Sequence, residues 1–147
     1  PIKTHPMASP LTYAITASLQ IEAESSNIVY FYKGQQKDID VMHAHEWLTV
    51  YPAISLKHTF NIPFVLTFHS LEGHRCNDRF SAPSIAIKEI EDMGLWESTE
   101  VITNTEWMKN EVLRYYGVGH QGKINVIWPI GKDWVDEVVS VYQKIVE

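Results

Sequence analysis

Three histidines and one glutamate stand where short apolar runs stop. Ile39, Val41 and Met42 lead into His43, His45 and Glu46; Phe64, Val65 and Leu66 lead into Thr67 and His69. An apolar run of this length followed by a helical pattern predicts a buried parallel strand. Polar residues just past such a strand occupy the edge where open α/β sheets bind ligands. His43 and His45 are two residues apart, so on a strand they share a face. A strand-end imidazole can hold a ligand hydroxyl or a backbone oxygen at neutral pH. Two neighbouring strands are therefore expected to aim histidines into one crevice, with His43 the residue most suited to being a buried, hydrogen-bonded core histidine.

Other residue types support competing chemistries. The His-x-His pair with His69, His74 and Cys76 offers nitrogen and sulfur ligands of the kind zinc takes. His-x-His also marks metal-dependent hydrolases on β/α barrels, but that fold needs ~200 residues or more, and neither Cys-x-x-Cys nor His-Glu-x-x-His is present. The polar stretch Gly73-His-Arg-Cys-Asn-Asp-Arg79 can bind an anion through Arg75 and Arg79, or pair internally with Glu72 and Asp78. Thr105 and Glu106 suit a helix start, as N-cap and first-turn acid. Cys76 reads as an incidental thiol, and Trp47 as packing.

The elements that must position these residues follow from periodicity. Strands are predicted at 39–45, 63–69, 101–104 and 124–128. A helix over 48–60, with Val50, Ala53, Ile54, Leu56 and Phe60 inward, stops at Asn61. Another runs from Pro83 to about Glu97, with Ala86, Ile87, Ile90 and Met93 inward. A third is capped by Thr105 and closed by Gly117. A final helix over 132–146 carries Trp134, Val138, Val141, Tyr142 and Ile145, widened by Val135, Val139 and Val146. Before these, Ser9 and Pro10 suit a helix start. Leu11, Ile15, Ala17, Leu19 and Ala23 suit its inner face to about Glu24, where Ser25-Ser26 interrupts. The segment 27–32 favours strand by composition. Alternating strands and helices imply an α/β domain with a parallel sheet.

Bulk properties bound the function. The chain has 147 residues, enough for one domain with its own core. Twelve Lys and Arg against 18 Asp and Glu give a net charge of −6, which argues against broad nucleic-acid or anionic-membrane binding. No apolar run approaches the ~20 residues that span a bilayer. One cysteine permits no intrachain disulfide, so a reducing cytoplasm is the simpler expectation. The chain begins Pro1-Ile-Lys-Thr4 without Met or a signal-peptide pattern, as expected of a fragment or a processed product.

The stretches His43-Ala-His-Glu-Trp-Leu-Thr49, Asn61-Ile-Pro-Phe-Val-Leu-Thr-Phe-His69, Val101-Ile-Thr-Asn-Thr-Glu-Trp-Met-Lys-Asn-Glu111 and Lys123-Ile-Asn-Val-Ile127 occur in this order. Together they resemble the N-terminal, acceptor-side domain of retaining GT-B glycosyltransferases, the glycogen/starch synthase and glycosyltransferase family 4 group, from about Asp38 to Pro129. The resemblance implies a Rossmann-like three-layer sandwich, one half of a GT-B fold, and places a helix over 27–32 instead of a strand. It implies sugar transfer with retention from a nucleotide sugar to a glycan or other acceptor, with no metal and no cofactor. It places His69 against the donor sugar and Glu46, usually Asp in the family, near the acceptor; it puts the Thr105 helix start near the interdomain cleft. Catalytic roles are thus expected for His69 and Glu46, and substrate contacts for His45, Arg75 and Thr105.

The family's glycine-rich loop and its nucleotide-binding second domain have no counterpart in these residues, while 132–146 loosely resembles the C-terminal helix that crosses back onto the first domain. The expectation is a single acceptor-side domain, truncated and inactive alone. The alternatives are a non-catalytic Rossmann-like interaction module, open to homodimerisation, and a His-rich metal-binding hydrolase.

Overall fold

The computed structural model describes residues 10–147; the expected irregular start and the Ser9 cap lie outside the described residues. Helix α1 spans Pro10–Gly34, strand β1 Met42–His45, helix α2 Val50–Phe60 and strand β2 Phe64–Phe68. The short helix α3 (Glu72–Arg75) precedes α4 (Ala82–Glu97), β3 (Glu100–Thr103), α5 (Glu106–Tyr116), β4 (Ile124–Val126) and α6 (Trp134–Val146). Short 3-10 segments occupy Trp47–Thr49 and Val118–Lys123.

The sheet has the order β1-β2-β3-β4, and every pairing is parallel. Each strand is laid beside its predecessor, so right-handed crossovers put α2, α4 and α5 on the same face. There Val50, Ala53, Ile90, Leu95, Met108 and Val112 pack on Ala44, Phe64, Leu66, Phe68 and Val101. Side chains alternate along the strands, so Val65 and Ile102 face the other way. With Ile127 they meet Val138, Val141, Tyr142 and Ile145 of α6. The result is an α/β three-layer arrangement of the Rossmann-like kind.

The punctuation residues act locally. Asn61 adopts φ 58°, ψ 40° and ends α2; Gly117, at φ 95°, ends α5. Thr105 accepts a hydrogen bond from the Met108 N–H and caps α5. Helices α2 and α4 approach closely at Gly94, where an added Cβ would lie 2.6 Å from Val50 Cγ2.

Several expectations are corrected. Helix α1 passes through Ser25-Ser26 without a break, and 27–32 is part of it, as the resemblance implied. Its inner face is Ala14, Ala17, Ser18 and Val29, while Ile15, Leu19 and Ala23 are exposed. The helix is held from outside itself: Ser18 Oγ donates to the Leu48 carbonyl at 2.7 Å, and Ser55 Oγ donates to Glu22 at 2.5 Å. Met93 is exposed, and Glu91, Gly94 and Leu95 point inward instead. The widening of the α6 stripe fails as well: Val135, Val139 and Val146 face solvent. One helix laid on a narrow sheet buries only a single stripe.

Candidate functional site

The C-terminal ends of β1, β2 and β3 and the inner side of α6 enclose a crevice of about 260 Å³. His43, His45, Thr67, His69 and Asn104 line its sheet side, and Trp134, Val138 and Tyr142 its helix side. The register places His43 beside Val65 and His45 beside Thr67, so the side chains of His43, His45, Thr67 and His69 share the α6 face.

His43 is clamped at both ring nitrogens. Nδ1 lies 2.5 Å from the Tyr142 hydroxyl, and Nε2 lies 2.7 Å from Thr67 Oγ1. It stacks on His45 with ring centroids 4.2 Å apart. Burial, then the neighbouring His45 and His69, pushes its pKa from 6.5 down to about 4. His45 is also lowered, first by burial and next by His69, with Glu46 opposing. His43 is therefore a neutral, satisfied histidine near pH 7.

His69 has a different setting. The Asn104 amide nitrogen lies 3.1 Å from its Nδ1, and its Nε2 lies 3.2 Å from His45 Nδ1. With Asn104 donating, Nδ1 accepts and the proton sits on Nε2, directed at His45. The His45 and His69 rings are parallel, with centroids 5.5 Å apart. Asn104, Tyr142 and Thr67 were not expected as site residues. Asn104 follows its strand as His69 follows β2, so the strand-end rule could have found it. Tyr142 carries no local signal, because 99 residues separate it from His43.

Glu46 faces inward toward the neighbouring strand end. Its carboxylate accepts from the N–H of His69 at 2.6 Å and of Ser70 at 2.9 Å, from Ser70 Oγ at 3.2 Å and from Arg75 Nη1 at 3.2 Å. The Glu46 backbone adopts φ 63°, ψ 169°, a region almost confined to glycine that costs about 1–3 kcal/mol. The four acceptances offset that strain. Thr49 Oγ1 closes the same turn, lying 2.8 Å from both the N–H and the carbonyl of His45.

Arg75 is not a free anion ligand. Besides Glu46 it donates to Glu72 at 2.8 Å, to Glu91 at 2.5 Å and to Ser70 Oγ at 2.6 Å. Glu91 is fully buried, at 0% exposure, and also accepts from the Glu72 N–H and the Tyr116 hydroxyl. Burial raises its pKa, opposed by Tyr116, the backbone N–H and Arg75. Three carboxylates thus engage the one guanidinium. The Thr105 hydroxyl accepts the Met108 N–H as the cap of α5.

The remaining candidates lie apart. His74 pairs with Glu111 at 2.8 Å and stacks on Trp107. Arg114 and then His74 pull the Glu111 pKa down to about 2. Cys76 Sγ lies 3.7 Å from the Gly73 carbonyl. Among the described residues no three His, Cys, Asp or Glu side chains are grouped to hold a metal ion. Among them, too, no helix is long and apolar enough to cross a membrane.

A parallel α/β sheet with polar side chains gathered past its strand ends defines a Rossmann-like domain. Within that class the chain belongs to Glycosyltransferase Family 4, whose family model matches residues 24–129. It is 36% identical over 89 residues to an uncharacterized glycosyltransferase of Methanocaldococcus jannaschii, a match that covers 60% of this chain and 23% of that protein. It is also 36% identical over 81 residues to a glycogen synthase of Mycobacterium tuberculosis, covering 54% of this chain and 20% of the relative. The matched segment therefore spans less than a quarter of either relative.

Proposed function

We propose that this chain is the acceptor-side domain of a retaining, glycogen-synthase-like glycosyltransferase, which moves a sugar from a nucleotide sugar to a glycan acceptor. The observation that carries the reading is His69, placed past β2 at the mouth of the crevice and oriented by Asn104, His45 and the Glu46 carboxylate. Glycosyl transfer builds positive charge at the anomeric carbon. An imidazole can hold a sugar hydroxyl there. The depressed pKa values of His43 and His45 keep those two rings from adding cations beside it near pH 7. Catalysis is then positioning plus electrostatic support, with His69 catalytic and His45 touching the substrate.

The 147 residues alone supply one wall of a site. A crevice of about 260 Å³ is small beside ligand sites of roughly 300–1,000 Å³, which bury ~70–90% of their ligand. It cannot exclude water from the reacting carbon. Calorimetric titration with UDP-glucose and ADP-glucose, beside radiolabel transfer to glycogen, should show neither micromolar binding nor turnover; either would refute the one-wall reading. In the complete enzyme carrying this domain, His69→Ala should lower kcat by roughly 10²–10³ with little change in acceptor KM. Unchanged turnover would remove His69 from the site.

A second reading, a non-catalytic interaction module that self-associates, draws on α1, where Leu19, Tyr30 and Phe31 are each more than 60% exposed. Large exposed apolar side chains on one helix are the kind of surface that contact sites use. Sedimentation showing a dimer at micromolar concentration would favour it; a monomer would remove it.

A further inference from the structure

Glu46, Arg75 and Glu91 form a chain of contacts that ends on the backbone of His69. Glu91 is buried on α4 and fixes Arg75 at 2.5 Å. Arg75, at the end of α3, reaches Glu46 at 3.2 Å and Ser70 Oγ at 2.6 Å. Glu46 follows β1 and takes the two consecutive N–H groups of His69 and Ser70. Four elements separated in sequence thus converge on one peptide unit. We propose that Glu46 is a positioning residue, held by the Arg75–Glu91 pair, that fixes the backbone at His69–Ser70 and thereby the orientation and tautomer of the His69 imidazole. This gives Glu46 a role distinct from acceptor contact, and it rests on the reading of His69 as the reactive-site histidine.

Two features single out this role from ordinary packing. First, the Glu46 backbone occupies a conformation nearly reserved for glycine, yet the residue carries a carboxylate spent on its neighbour's N–H groups. A turn selected only for closing the chain would relax with glycine. Second, the His69 ring meets Asn104 at 3.1 Å and His45 at 3.2 Å only while its Cα–Cβ direction is held. Both are ordinary, unstrained distances that a small backbone rotation would break. The N–H groups of His69 and Ser70 are what Glu46 grips, so the carboxylate acts on that direction without touching the ring. Charge matters as well as shape. A glutamine at 46 can accept from the N–H groups through its oxygen, but its amide nitrogen would then face the Arg75 donors.

The test uses the 147-residue chain with 15N-labelled histidine. In the wild type the His69 ring should show one tautomer, with the proton on Nε2. Glu46→Ala should convert it to a tautomer mixture and raise amide exchange at His69 and Ser70 by roughly ten- to a hundredfold, as expected for the loss of charge-assisted hydrogen bonds. Glu46→Gln should restore part of both signals. If Glu46→Ala does not fold, Glu46→Gln keeps the side-chain volume and carries the comparison alone against wild type, with an intermediate loss expected. Ile90→Val, a core change on the same face, should lower stability while leaving the His69 tautomer unchanged. Wild-type tautomer and exchange in the folded Glu46 variants would overturn the proposal, as would an equal tautomer change in Ile90→Val. No sugar enters the measurement. Unchanged turnover of His69→Ala in the complete enzyme would therefore sink the functional reading and leave this result standing, and the reverse holds too.

Discussion

Acid should loosen the crevice before it unfolds most of the molecule, and His43 is where the effect can be sized. Its pKa falls from 6.5 to about 4 on folding, through burial first and then His45 and His69. A depressed pKa means that the unfolded chain binds the proton more tightly. The stabilisation is therefore complete above pH 6.5, declines as pH falls and is lost below about pH 4. At about pH 4.5 the two values correspond to a loss of about 2.5 kcal/mol at 1.36 kcal/mol per unit. His43 is only half-buried, and solvent access reduces the expected loss to about 1–1.5 kcal/mol. Protonation makes donors of both His43 ring nitrogens, so the contact to Tyr142 or to Thr67 must reverse direction, and it places a cation 4.2 Å from the His45 ring centre. Urea denaturation of the wild type and His43→Gln at about pH 7.5 and pH 4.5 isolates the contribution, because carboxylate titrations cancel in the double difference. The wild type should lose about 1–1.5 kcal/mol more than the variant. Equal losses, or a wild type that gains stability on acidification relative to the variant, would refute the reasoning.

Two further outcomes test the packing. Gly94→Ala should cost about 1–3 kcal/mol by overpacking, because its Cβ would press on Val50 at 2.6 Å and Leu66 at 2.9 Å; an unchanged denaturation midpoint would mean that α2 and α4 are not in close contact. Thr105→Ala should cost about 1 kcal/mol through the lost cap on α5 and should be largely recovered by Thr105→Asp, both read from thermal melts.

What the sequence determined by itself is what a few consecutive residues can encode. Runs of Val, Ile, Leu and Phe set the four strands, and their parallel order followed from the helices between them. Asn61, Thr105 and Gly117 stopped or capped helices because backbone conformation and capping are settled within one turn. Those same runs placed His43, His45 and His69 at strand ends, and the ordered motifs carried the family. Tertiary structure decided the rest. Ser25-Ser26 is a weak helix segment alone, but α1 continues through it because its inner face docks on neighbouring elements. Glu91 reads as a surface glutamate and is fully buried, since a charge can enter a core only where partners await it. Its partners lie 16 residues away at Arg75 and 25 away at Tyr116. For Arg75 the sequence left anion binding and pairing with Glu72 open; the Glu72 pair is local, but two further carboxylates, 29 residues away at Glu46 and 16 at Glu91, come from other elements. Which charges are spent and which remain for a ligand is a property of distances in space, and no local pattern records them.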